Sequence, residues 1–184
     1  MPSDNNLHKA AHKGDLDECR KYIETPDEGE EKIDVNEAGA SDRRALHRSA
    51  GAGHLELCQY FVSIGAEVDA VDKSGRTALH WAAISGHTEI VKFLLEKGAN
   101  VLAETTSKMN ALHGACEAGR AETVRALMEF VSADEEKKTN LTMAKNGDDK
   151  TSWAIAEAAK NTAVCQVLKD CGDANGASSA CIVS

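Results

Sequence analysis

Between residues 78 and 99 the apolar side chains fall into two short stripes. Ala78, Leu79, Ala82 and Ala83 form the first, and Ile90, Val91, Leu94 and Leu95 form the second. Both have helical spacing, so the pattern predicts a helix over 77–85 and another over 88–97. Gly86 and Gly98 follow them, where helices end and a positive φ is wanted. Helices this short are not stable alone in water, so each stripe must be buried against a neighbour.

The neighbours are further copies of the same pattern. His47, His80 and His113 are 33 residues apart, as are Gly53, Gly86 and Gly119. A fixed period of that length predicts a stack of supersecondary units whose stability is nearly a sum over adjacent units. Units are expected at about 5–38, 39–71, 72–104, 105–137 and 145–172. In the first, Leu7-His8 and Gly14 align with Leu79-His80 and Gly86, and Ser3 or Asp4 is placed to cap its first helix. His8 lies 39 residues before His47, so about six extra residues fall in the acidic loop at 24–32. A second, strongly charged insertion, SADEEKKT at 132–139, is expected to be solvated. The last unit is degenerate, with Thr151-Ser152-Trp153-Ala154 at its core and Asn161 at its inter-helix turn, as an end that meets water should be.

Thr77-Ala78-Leu79-His80-Trp81-Ala82-Ala83, Gly86-His87 and Gly98-Ala99-Asn100-Val101 resemble the ankyrin repeat signature. The resemblance runs from about residue 5 to 172. It departs from the signature at the proline, which appears here as Ala45, Ala78, Ala111 and Ser152. Alanine keeps the first helical turn, so the fold is unaffected. The resemblance implies an all-α solenoid of helix–turn–helix units with β-turn or hairpin fingers. It also implies a monomeric protein-binding module.

Composition narrows the function. Aromatic residues make up 4% of the chain, so its core is aliphatic and alanine-rich. The net charge of −9 disfavours nucleic acid, whose phosphates need clustered Lys and Arg. Neither a spanning apolar run nor a secretory leader is read. Six dispersed cysteines without a CxxC pair point to free thiols in a reducing, cytoplasmic or nuclear setting. Cys19, Cys58, Cys116 and Cys165 are expected to be buried.

Seven histidines invite a metal site, and His8 and His12 have the spacing of two ligands on one helix face. His47, His80 and His113 nevertheless stand at the repeat's own histidine, where an imidazole ties backbone turns together. No metal or catalytic site is expected, and no phosphate-binding or nucleophile motif is present in the sequence. The chain therefore reads as no enzyme.

In stacks that resemble ankyrin repeats, turn tips and exposed inner-helix positions line one concave groove. Carried onto this sequence, the partner-binding residues are Arg43, Arg44, Lys73, Ser74, Arg76, Trp81, Ile84, Met109 and Glu117. Arginines beside a tryptophan and an exposed aliphatic residue match the composition of interface hot spots and favour an acidic partner segment. The alternative is that Trp81 belongs to the core and the basic tips are only solvated.

After Gly172 the chain becomes small and polar, GDANGASSA, and then reads Cys181-Ile182-Val183-Ser184. That quartet is a CaaX box with terminal serine, the combination associated with farnesyl addition to the cysteine. A 173–184 tail of this composition is a flexible linker that a prenyltransferase can thread. One lipid chain gives only reversible membrane attachment, and no polybasic run supports it. The lipid is therefore expected to hold the protein at a cytosolic membrane face or to be shared with a prenyl-binding carrier. Cys171 is read as an ordinary surface thiol rather than a palmitoylation site. The expected function is a protein-interaction adaptor, with a soluble ankyrin-type inhibitor of an enzyme as the alternative.

Overall fold

The repeated cap decides where each helix starts. Thr77 is extended and precedes helix α5 (Ala78–Ser85), and its backbone N–H donates to Nδ1 of His80 at 3.2 Å. The same pairing recurs from Asn5, Arg44 and Asn110 to His8, His47 and His113. Each satisfies a backbone donor that the first helical turn leaves orphaned. In this computed structural model, which describes residues 3–29 and 31–172, the result is an all-α stack. No strand occurs among the described residues.

Each capped inner helix is followed by an antiparallel outer one. The pairs are α1 (Asn6–Lys13) with α2 (Leu16–Glu24), and α3 (Ala45–Ala52) with α4 (Leu55–Ser63). They continue with α5 and α6 (Thr88–Glu96), α7 (Ala111–Glu117) and α8 (Ala121–Val131), and α10 (Ser152–Ala158) and α11 (Thr162–Asp170). Inner helices pack in the order α1, α3, α5, α7, α10, and the outer row α4, α6, α8, α11 lies behind. Ala50, Ala82, Ala83, Ala115 and Ala156 are buried in the inner row, where small side chains let the backbones approach closely. Ile90, Val91, Leu94 and Leu95 are buried on α6, as their spacing predicts. Burying each contributes about 1.5–3 kcal/mol, which offsets the cost of ordering a helix too short to persist alone.

The turn between inner and outer helices ties each unit to the one before. His54 Nε2 lies 3.0 Å from the His12 carbonyl, and His87 Nε2 lies 3.3 Å from that of Gly51. Arg120 Nε donates to Ile84 O and Asn161 Nδ2 to Cys116 O at the equivalent positions. Each crossing side chain passes over a glycine of the preceding unit. At Gly53, φ is +90° and an added Cβ would sit 2.6 Å from His87 Cε1. Gly53→Ala is therefore expected to cost about 2 kcal/mol through backbone strain and displacement of His87. Urea denaturation monitored by circular dichroism checks this, and an unchanged midpoint would show that the turn is not under that constraint.

The charged insertion at 132–139 is solvated as expected, and most of it is helical: Glu135–Met143 form helix α9, capped by Asp134, whose side chain accepts from the Lys137 N–H at 2.9 Å. The charged side chains mostly face solvent, but Leu141 and Thr142 are buried, and Asn110 Nδ2 donates to the Leu141 carbonyl. At the N-terminus neither Ser3 nor Asp4 caps α1; Asn5 does. Asp4 instead accepts from the Ala40 N–H and from Arg48 Nη2, joining the first unit to the second. Burial raises the Asp4 pKa, but these hydrogen bonds and the Arg48 charge outweigh it and hold the carboxyl below its ordinary value. Among the cysteines, Cys19, Cys58 and Cys116 are buried as expected, whereas Cys165 is only half-buried.

Candidate partner-binding groove

Four turn tips lie along one edge of the inner helices. In each, the first residue donates its N–H to the carbonyl of the fifth: Gly39 to Arg43, Asp72 to Arg76, Thr105 to Met109 and Asn146 to Lys150. Successive tips are then joined by single backbone bonds, Lys73 N to Ser41 O, Thr106 N to Ser74 O, and Gly147 N to Ser107 O. The fingers are thus hydrogen-bonded turns linked in a row, and they fix the groove's edge as firmly as its helical floor.

The fourth tip position is left-handed in every finger. Gly75 occupies it in one, but Asp42, Lys108 and Asp149 hold φ values of 58°, 55° and 62° in the others. A side chain there costs about 1–2 kcal/mol of backbone strain. Lys108→Gly should accordingly stabilise the protein by about 0.5–1 kcal/mol after glycine's extra chain entropy is deducted. A rise in the urea midpoint would confirm the relief; a fall would mean that the lysine side chain contributes more than its strain removes.

At the first and second fingers the structure gathers a stacked cluster. Trp81, half-buried on α5, has the Arg43 and Arg76 guanidinium carbons 4.6 and 5.0 Å from its ring centroid. Its indole N–H donates to Asp72 Oδ2 at 3.1 Å. Asp72 is only 5% exposed, and its Oδ1 accepts from the Ser74 and Arg76 amides at 2.8 and 3.0 Å. Arg43 Nε lies 4.0 Å from the same carboxylate. One aspartate therefore closes the finger, orients the tryptophan and balances an arginine. Trp81 is neither wholly core nor free surface: its edge is tied down and two guanidinium groups lie over its ring.

Three hollows follow one another along the groove. The first, about 120 Å³, is lined by Arg43, Arg48, Gly51, Trp81 and Ser85 with two histidines. The second, about 160 Å³, lies between Arg76 and Glu117, with Ile84 and Met109 in its walls. The third, about 220 Å³, is lined by Met109, Glu117, Asp148, Lys150 and Ile155. Ile84 packs over Gly114, where an added Cβ would meet its Cγ1 at 2.7 Å.

Most of the residues expected at the groove are therefore brought together: Arg43 and Trp81 at the first hollow, and Ser74, Arg76, Ile84, Met109 and Glu117 at the second. The Lys73 side chain is exposed on the second finger. Arg44 is not part of the cluster. Its Nε donates to the Asn36 carbonyl at 2.9 Å, and its Nη2 lies 3.5 Å from Glu67, so it braces the loops behind. Arg48 was missed, although it stands 33 residues before Trp81 and so shares its phase. Asp148 and Lys150 complete the third hollow from the last finger.

The repeat histidines are structural. Nε2 of His8, His47, His80 and His113 lies 2.9–3.1 Å from the carbonyls of Glu37, Ala70, Met109 and Ala144. With Nδ1 accepting from the cap, each ring is neutral and donates through Nε2. Burial depresses all four below the ordinary histidine value, His47 to about 4, against the opposing pull of neighbouring carbonyls and carboxylates. Cys181 lies outside the described residues.

A protein-family model for ankyrin repeats, in three copies, matches residues 7–105.

Proposed function

The chain belongs to the ankyrin-repeat family of protein-interaction modules, and from that premise we propose that it is a non-enzymatic adaptor that binds its partner through the concave groove. On this reading all five helix pairs are ankyrin repeats, the last two extending the stack beyond the matched region. The observation that carries the proposal is the Arg43–Trp81–Arg76 stack at the groove's centre. A half-buried aromatic with two guanidinium groups over its ring, rimmed by Lys73, has hot-spot composition and favours an acidic segment on the partner. The monomer is the binding unit. Proteins recovered from source cells on the wild type should be lost on a Lys73→Glu/Arg76→Glu variant of unchanged melting temperature. Equal recovery on both would remove the groove from the interaction.

The second part of the proposal is farnesylation at Cys181 by a prenyltransferase, with the lipid either resting in a cytosolic membrane face or held by a prenyl-binding carrier. Its support is the Cys-Ile-Val-Ser quartet at 181–184. Attachment by one chain is reversible, so the protein would divide between membrane and cytoplasm. The mass of the C-terminal peptide from source cells decides it. A prenylated, trimmed cysteine that vanishes in Cys181→Ser supports the anchor, and an intact unmodified end removes it while leaving the groove untouched.

A further inference from the structure

Taking the groove as the binding surface, we infer that the partner crosses it as an extended segment read at every third residue, acidic, then aliphatic, then basic. The spacing follows from the stack. Packed helices lie about 8–10 Å apart, so the hollows between successive inner helices recur at that interval. An extended chain advances about 3.3–3.6 Å per residue, and three residues cover one interval. A helical ligand would rise only about 1.5 Å per residue and would need six or seven.

The order follows from the charges each hollow leaves unmatched. At the first, Arg43 and Arg48 line the walls, Arg48 already paired with Asp4, and Arg76 and Lys73 on the adjoining finger add two further cations. The two nearby carboxylates are committed: Asp4 is held by Arg48 and the Ala40 amide, and Asp72 is buried under Ser74, Arg76 and Trp81. An incoming carboxylate would lie beside the Arg43 guanidinium where Trp81 already fixes it. The second hollow has Ile84 and Met109 in its walls, and the bare Cα of Gly114 lets Ile84 settle against α7. Its volume of about 160 Å³ suits one branched aliphatic side chain. At the third, Glu117 and Asp148 face a single Lys150, and no salt bridge among the described residues uses any of the three. The apolar walls there, Ile155, Ala158 and Ala159, suit the methylene stem of a lysine or arginine whose head reaches the carboxylates. The groove is thus positive at one end and negative at the other, and a segment of opposite charge order meets like charge at both.

The test is selection of displayed random nonapeptides on the full chain, with fluorescence anisotropy on the enriched sequences. Glu or Asp, an aliphatic residue, and Lys or Arg should be enriched at three-residue intervals. Lys73→Glu and Asp148→Lys, both at exposed finger positions, should each weaken such a peptide by at least ~10-fold and shift selection toward the opposite charge at their own end. Moving the acidic residue one position should weaken binding by a similar factor. Enriched peptides that compete for the groove but show another spacing or charge order would overturn this register and leave the groove reading standing. Enriched peptides indifferent to both substitutions, or no enrichment at all, would overturn the two together.

Discussion

Acidification from neutral pH toward pH 4 is expected to remove several kcal/mol of stability before any carboxylate network gives way. The cause is the row of four neutral imidazoles, His8, His47, His80 and His113, each accepting from a helix cap through Nδ1. Each also reaches a carbonyl of a neighbouring loop or finger through Nε2. A proton added at Nδ1 would set a donor against a donor, and burial penalises the charge as well. The folded protein therefore refuses a proton that the unfolded chain accepts below 6.5. The contribution of each ring is complete above that value and is lost as the pH falls toward its folded pKa. For His47, with a folded pKa of about 4, the loss amounts to roughly 3 kcal/mol. The other three are shifted in the same direction and add to it. Urea midpoints measured at intervals from pH 7 to pH 4 should fall throughout this window. A flat profile would mean that the rings are protonated in the fold, and the hydrogen-bond row would be wrong.

That row was legible in the sequence because it is repeated: a histidine at the same place in each of the first four units leaves few roles other than a structural one. The helix pairs were legible for the same reason, since Ile90, Val91, Leu94 and Leu95 announce a buried stripe by spacing alone. Features that occur once were harder to read. Helix α9 carries no apolar periodicity, only Leu141 as a buried hydrophobic anchor, so its charged run gives no sign of a helix. It persists because Asp134 caps it, its first turn is acidic, and Asn110 reaches across to the Leu141 carbonyl. Arg44 and Arg43 are adjacent and chemically alike, yet one braces the back of the stack and the other lies on Trp81. That difference depends on which side of the cap each side chain leaves, which neither composition nor period encodes. Arg48 is the converse: its register with Trp81 places it at the groove, but arginine and tryptophan do not look alike in an alignment.

Replacing Asp72 with alanine is expected to destabilise the protein by roughly 3 kcal/mol, more than the loss of any surface ion pair would. The carboxylate accepts from three donors, the Ser74 and Arg76 amides and the half-buried Trp81 indole. An orphaned buried donor costs about 1–3 kcal/mol, while the two amides near the exposed finger recover part of theirs from water. Arg43 also loses its counter-charge 4.0 Å away. Asp72→Asn separates these effects. Its carbonyl can keep both finger amides, but its amide then points a donor at the indole N–H, so a cost of about 1–2 kcal/mol is expected. Urea denaturation ranks the three proteins, and Trp81 fluorescence, read against a Trp153→Phe background, reports the cluster itself. If the ranking holds, both variants should also bind the partner less well, because Trp81 and the two arginines lose the anchor that holds them in one stack. Wild-type stability in Asp72→Ala would show that the finger and the tryptophan are held by packing alone, and the preorganised hot spot would have to be abandoned.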